Sequence, residues 1–144
     1  EHGRRALAYA KHLRKRGLEV GYPGLPEHPD YALLRRLASP GYGCGGVLTV
    51  DLGDATRANA LMNLLQNREG FGYMAVSLGY FDTVMSCSGS STSSELAEED
   101  RAAAGIHDGL VRISAGITGT LEQRLAQLDA ALDELGTPAA GAAA

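Results

Sequence analysis

The chain has 144 residues, with 44% apolar and 21% charged residues, the composition expected of one soluble globular domain with a single core. A formal net charge of -4 argues against a nucleic-acid surface, because a phosphate backbone rewards clustered positive charge. No apolar run approaches the roughly 20 residues a membrane-spanning helix requires and no apolar signal segment opens the chain, so a cytoplasmic protein with no membrane partner is expected.

Ala6, Leu7, Ala10 and Leu13 recur at helical spacing and Gly17 follows as a stop, which predicts an amphipathic helix over residues 2–16. The basic residues here, Arg4, Arg5, Lys11, Arg14, Lys15 and Arg16, are expected on its solvated face and C-terminal turn. A short strand over residues 18–22 runs into a turn at 23–26, and proline at the first position opens a second helix over residues 29–38. Residues 41–46 formally match G-x-G-x-x-G. The match does not indicate a dinucleotide fingerprint, because this loop follows a helix and feeds a strand at 47–52; its glycines instead allow a tight turn and close backbone approach.

Asp54 is placed to cap a helix carrying Ala58, Leu61, Met62 and Leu65 on one face. Two strand-like runs, 71–78 and 83–87, lie close together around Gly79 and Tyr80 and read as a strand pair. The hydroxyl-rich run 86–94 reads as a loop ending at a helix start near Ser94. Leu121, Leu125, Leu128, Leu132 and Leu135 define a closing amphipathic helix entered through residues 118–120. The expected fold class is α+β, an open, mainly antiparallel sheet with helices on one face.

Between the last two helices, residues 109–116 (GLVRISAG) set Arg112 inside an apolar strand-like run. By strand alternation Leu110, Arg112 and Ser114 share one face and Val111, Ile113 and Ala115 the other. Two readings stand open from this pattern. The guanidinium forms an anion site with a hydroxyl beside it, or it is an edge-strand arginine that reaches water or a local carboxylate.

Cys44 and Cys87 are too few for a disulfide framework and lack metal-ligand spacing, so free thiols are expected; a redox pair would need Cα atoms roughly 4.4 to 6.8 Å apart. His2, His12, His28 and His107 are too scattered for a zinc site. The chain opens at Glu1 without methionine and enters a helical pattern almost at once, and residues 137–144 (TPAAGAAA) read as an Ala/Pro-rich tail or linker. The expectation is a domain over residues 1–136 cut from a longer protein.

Taken in order, YPGLPEHP at 22–29, GYGCGG at 41–46, SLG at 77–79, SST at 90–92, GI at 105–106 and GLVRISAG at 109–116 resemble the C-terminal domain of one family. It is the family of pyridoxal-phosphate enzymes of cysteine and methionine metabolism, which includes methionine gamma-lyase, the cystathionine lyases and cystathionine gamma-synthase. The resemblance covers nearly everything before the tail. It implies the C-terminal small domain of a fold-type I enzyme whose cofactor, pyridoxal phosphate, is held by a lysine in an N-terminal domain absent from this chain. It also implies that Arg112 clamps the α-carboxylate of an amino-acid substrate, that Ser77 lies beside that carboxylate, and that Thr92 lines the mouth of the site. The implied activity is a carbon-sulfur lyase acting on cysteine-, methionine- or S-substituted cysteine-type substrates. The intact protein would be a homo-oligomer and the fragment alone inactive. CSG at 87–89 stands where the family commonly has His-Pro-Ala, and residues 118–119 are Thr-Gly where an acidic pair is usual, read as a changed helix cap. The variant loop and tail also resemble the cysteine-lyase domains of leinamycin-type polyketide synthases, which would act on a carrier-tethered substrate. A stand-alone interaction or scaffolding domain without catalysis is the reading from another class.

Overall fold

The computed structural model of the protein describes residues 1–87 and 95–137. In chain order its elements are α1 (His2–Lys15), β1 (Glu19–Gly21), α2 (Tyr31–Leu37), β2 (Val47–Asp51), α3 (Ala55–Asn63), β3 (Tyr73–Met74), β4 (Val84–Cys87), α4 (Glu98–Ala103), β5 (Leu110–Ser114) and α5 (Leu121–Glu134), with a π-helical turn, Leu64–Arg68, continuing α3. Local chemistry places several of these ends. Asp54 accepts a hydrogen bond from the Arg57 amide at 2.9 Å and caps α3, and Thr120 does the same for Gln123 at 3.1 Å on α5. Gly17 ends α1 with φ +78°, a conformation that glycine adopts without a Cβ clash.

The strands form one sheet in the order β1-β2-β5-β4-β3. Pairs β1–β2, β2–β5 and β4–β5 are antiparallel, as expected of a mainly antiparallel α+β layer. The expected pair over residues 71–87 differs. Strand β3 is only two residues long and runs parallel to β4, with Tyr73 opposite Val84 and Met74 opposite Met85. No hairpin turn joins them. Residues 77–83 instead lie against β5 and its continuation, where the Gly79 amide donates to Ser114 Oγ at 3.0 Å and the Ile117 amide donates to the Phe81 carbonyl at 2.7 Å. Val76 and Leu78 looked like strand residues by composition, yet they stand exposed on this arm.

Helices α1, α3 and α5 cover one face of the sheet. Ala6, Tyr9, Ala10 and Leu13 form the buried stripe of α1, at the i, i+3, i+4, i+7 spacing that one helical face provides. With Leu61, Leu65, Leu128 and Leu132 they pack on Leu48, Val50, Met85, Val111 and Ile113. Each large side chain so buried stabilises the fold by about 1.5–3 kcal/mol. The Tyr9 and Phe71 rings meet at 5.5 Å with an interplanar angle of 54°, a tilted contact within the favoured range for aromatic pairs.

The glycine-rich loop behaves as its composition suggests. A Cβ on Gly3 would stand 3.2 Å from the Gly45 carbonyl oxygen, so the first turn of α1 and this loop touch backbone to backbone. The Tyr22 hydroxyl locks that contact by donating to the carbonyls of Gly45 (2.9 Å) and Gly3 (3.2 Å). Burial pushes its phenol up to about 12, with the neighbouring Cys44 adding to the shift, so it remains a donor.

Two basic residues, Arg5 in α1 and Arg16 at its C-terminal end, depart from the solvated positions expected of them. The Arg5 and Arg16 side chains are 7% and 4% exposed. Arg5 donates to the Thr118 carbonyl at 2.6 Å, the Gly119 carbonyl at 2.7 Å and Glu1 at 2.8 Å. Arg16 donates to Asp129 at 2.6 Å, Asp133 at 2.5 Å and the Thr137 carbonyl at 3.0 Å, tying α1 to the end of α5. His12 joins the same carboxylate of Asp129 at 2.8 Å. Partial burial alone would push the Asp129 carboxyl up, but the hydrogen bonds from His12 and Arg16 outweigh it and hold the group below its ordinary value. A depressed carboxylate contributes stability that is present above its unfolded value, near ~3.9, and is lost as the pH falls through the lower folded value. Asp129→Asn is therefore expected to lower the thermal midpoint at neutral pH, with the gap to the parent closing through the acid limb. A gap of constant size at every pH would assign the effect to packing.

Candidate carboxylate-binding site

The face of the sheet away from the helices carries the site. Val111 and Ile113 are fully buried against the helices, and alternation turns Leu110, Arg112 and Ser114 the other way. Register sets Thr49 of β2 on one side of Arg112 and Ser86 of β4 on the other. Strand β5 is the central strand of the sheet, so Arg112 is not an edge-strand residue. Gly21 lies opposite Thr49, and a Cβ there would come within 2.5 Å of Thr49 Oγ1; the missing side chain makes room for the hydroxyl on this face.

The structure brings Arg112 and Ser77 together. The Arg112 guanidinium donates to the Ser77 carbonyl oxygen at 3.2 Å, a contact through the backbone of Ser77 rather than its hydroxyl. Ser77 itself is exposed, and Arg112 is half-buried. Thr92 lies outside the described residues. Two hydroxyls complete the local arrangement, Ser114, which strand alternation already sets beside Arg112, and Ser86, which the motifs did not single out. Ser114 Oγ accepts the Gly79 amide, which fixes the arm two residues beyond Ser77. Ser86 is 5% exposed, and its hydroxyl has no hydrogen-bond partner among the described residues. Ser86 lies where the strand-like run 83–87 and the hydroxyl-rich run overlap, and its pairing opposite Arg112 sets it in the sheet beside the cation.

Charge is arranged so that the cation is left available. Arg112 forms no salt bridge with any described carboxylate, whereas the buried Arg5, Arg16 and Arg124 are all ion-paired. Asp51, on the same face, is occupied in part by the Gly53 amide at 2.8 Å. A guanidinium presents five N–H donors in a rigid fork, and the Ser77 carbonyl takes one of them. The remainder can hold a carboxylate through two parallel charge-assisted bonds. Beside the arm, Tyr73, Ala75, Ser77, Tyr80 and Val84 line an apolar groove of ≈ 360 Å³. Arrangement and groove together suit a small molecule with an anionic end and an apolar portion.

The two cysteines form no disulfide among the described residues and sit apart from this geometry. Cys87 ends β4 on the helix side, buried, with its thiol donating to the Asp108 carbonyl at 3.1 Å; Cys44 is half-buried near Gly24 in the glycine-rich loop region. Among the described residues no group of three or more His, Cys, Asp or Glu could hold a metal ion, and no helix is long and apolar enough to cross a membrane.

Comparison with known proteins gives the family. Residues 1–133 match the model of the Cys/Met metabolism PLP-dependent enzyme family. Methionine gamma-lyase of Arabidopsis thaliana is 52% identical over 131 residues, which is 91% of this chain and 30% of that protein. Cystathionine gamma-lyase of Mus musculus is 34% identical over 135 residues, 92% of this chain and 32% of the relative. Among solved structures, cystathionine gamma synthase from Xanthomonas oryzae pv. oryzae, in complex with aminoacrylate and cysteine, superposes with a TM-score of 0.82 at 32% identity, covering 94% of this chain and 34% of that one. The chain thus spans about a third of the length of the relatives it matches. A family match over nearly the whole described chain, on the fold and strand order seen here, shows that the protein belongs to the Cys/Met metabolism PLP-dependent enzyme family.

Proposed function

We propose that this chain supplies the wall of a pyridoxal-phosphate-dependent carbon-sulfur lyase that holds the α-carboxylate of a sulfur-containing amino acid. The observation that carries the reading is Arg112, a half-buried cation on the central strand with no ion pair to any described carboxylate. In this reading Arg112 grips the carboxylate, and Ser77 borders it. The apolar groove beside Tyr73 and Tyr80 receives an uncharged part of the substrate. A substrate of methionine or cystathionine type is supported by the names of the 52% and 34% identical relatives. We carry it forward in preference to a carrier-tethered polyketide adduct on that ground.

The residues present do not fit the cofactor by themselves. Lys11 and Lys15, the lysines of the chain, are exposed on α1, which packs on the side of the sheet opposite Arg112. Attachment of the cofactor, and assembly into an oligomer, are assigned to the portion of the whole protein that the relatives have and this chain does not match. What this chain contributes is orientation. A carboxylate fixed at Arg112 restricts how the substrate's Cα can present its bonds, and positioning of this kind supplies a large part of many rate enhancements.

The test is discrimination at the carboxylate. The complete protein is expected to turn over an L-amino acid thioether and to ignore the same compound as its carboxamide, assayed by release of thiol. Equal use of both would overturn the assignment of Arg112. Turnover of neither would favour the non-catalytic interaction-domain reading.

A further inference from the structure

The arm that carries Ser77 is fastened along β5 by a series of bonds, and the far end of that series is a partly buried charged cluster. The Ser77 carbonyl accepts from Arg112, the Gly79 amide donates to Ser114 Oγ, the Phe81 carbonyl accepts from the Ile117 amide, and Thr83 Oγ1 accepts from the Gly116 amide at 3.0 Å. At the end, the Thr118 hydroxyl donates to Asp82 Oδ1 at 2.6 Å and accepts from the Arg124 guanidinium at 2.6 Å. Arg124 reaches the same Asp82 oxygen at 3.3 Å, and that oxygen also accepts the Thr83 amide at 2.8 Å. Arg124 is 6% exposed and is held further by the Gly70 carbonyl at 2.7 Å and the Thr118 carbonyl at 3.2 Å. The Thr118 carbonyl accepts a second bond, from the Arg5 guanidinium.

We infer that Asp82, Thr118 and Arg124 are positioning residues for the carboxylate site, fixing residues 77–83 so that Ser77 and Gly79 stand at a set distance over Arg112 and Ser114. The inference rests on the carboxylate-binding reading above. None of the three touches a substrate. They act through an arm that has little regular structure of its own and exposes Val76, Leu78, Tyr80 and Phe81, so its position is decided where it is tied. Thr118 is the informative member, for its hydroxyl is at once donor to an aspartate and acceptor from an arginine. An acidic side chain in its place would set a second negative charge against Asp82. The threonine is therefore matched to this cluster and is more than a variant helix cap, a task that belongs to Thr120.

The experiment uses the complete, cofactor-loaded protein. Thr118→Val removes both bonds of the hydroxyl at nearly constant volume, and Asp82→Asn is a second variant that keeps shape while removing charge. Each is expected to raise KM for the amino-acid substrate, and the inhibition constant of unreactive norleucine, by about tenfold, as expected for loss of one charge-assisted bond's worth of positioning. With kcat held within about twofold, the effect would lie in carboxylate placement rather than in the chemical step. Hydrogen exchange should quicken at residues 77–83 and stay unchanged in α1, and Thr118→Ser should restore the parent values. Unchanged KM and inhibition constant, or a fall in kcat and thermal midpoint together with faster exchange throughout the helices, would overturn the inference. Arg112→Ala measured alongside separates the two levels. If it too leaves KM unchanged, the carboxylate-binding reading fails; if it alone raises KM, only the positioning role falls.

Discussion

Arg112→Ala in the complete protein is expected to raise KM for the amino-acid substrate by about 100-fold, because two charge-assisted hydrogen bonds to a carboxylate are worth roughly 3 kcal/mol and each 1.4 kcal/mol is a factor of ten. Arg112→Lys keeps the charge but not the planar fork, and is expected to recover about half of that free energy. Stability should change little. The side chain is half-buried on an open sheet face, forms no ion pair among the described residues and gives one bond to the Ser77 carbonyl, itself on an exposed arm. Cofactor absorbance should likewise be unaltered, since no lysine of this chain faces the site. Steady-state kinetics beside an absorbance spectrum make the check, and loss of the cofactor band with KM unchanged would give Arg112 a different task.

Gly116→Ala is expected to cost the fold about 3 kcal/mol, at the upper end of what overpacking usually costs. A Cβ at this position would lie 2.3 Å from the carbonyl carbon of Asp82 and from the amide nitrogen of Thr83, and 2.6 Å from the Asp82 Cα. All three are backbone atoms, so no side chain can swing aside to admit the methyl group. The arm would have to retreat from β5, and the bond from the Gly116 amide to Thr83 Oγ1 would go with it. Urea unfolding should show a lower midpoint at an unchanged slope, the signature of altered stability without altered compactness. In the complete protein, weaker substrate binding should accompany the loss, since the same displacement moves Ser77. A parent-like midpoint would show that the arm yields freely and does not hold the site.

What could be read from the chain follows from how local each signal is. The repeat Ala6, Ala10, Leu13 and the caps Asp54 and Thr120 depend on residues three or four apart, so periodicity and side-chain chemistry suffice to place α1, α3 and α5. The stripe of α1 nonetheless buries Tyr9 fully in place of the expected Leu7, which is partly buried. Arg5 and Arg16 show the opposite case. Residue type assigns an arginine to solvent, and nothing nearby contradicts it apart from Glu1; their other partners, the carbonyls at 118 and 119 and the carboxylates at 129 and 133, lie more than a hundred residues along the chain. The run 71–78 likewise has strand composition, but pairing direction is a property of two segments, and here Tyr73 and Met74 meet β4 in parallel while the rest becomes the arm over β5.

The sequence by itself determined the sites of α1, α3 and α5, the alternation that puts Arg112 and Ser114 on one side of β5, and the order of motifs that marks the family. It left open whether Arg112 was an anion site or an edge residue. Tertiary structure excluded the edge position by placing β5 at the centre of the sheet, and it left Arg112 without a described carboxylate partner, which supports the anion-site role proposed above. It also decided that Ser77 meets Arg112 through its carbonyl, that Ser86 stands beside them, and that Thr118 ties Asp82 to Arg124. The physical reason is range: a cap or a helical stripe forms between near neighbours in the chain, whereas a charge's partner is chosen by which strands lie side by side, and that is settled only when the whole core closes.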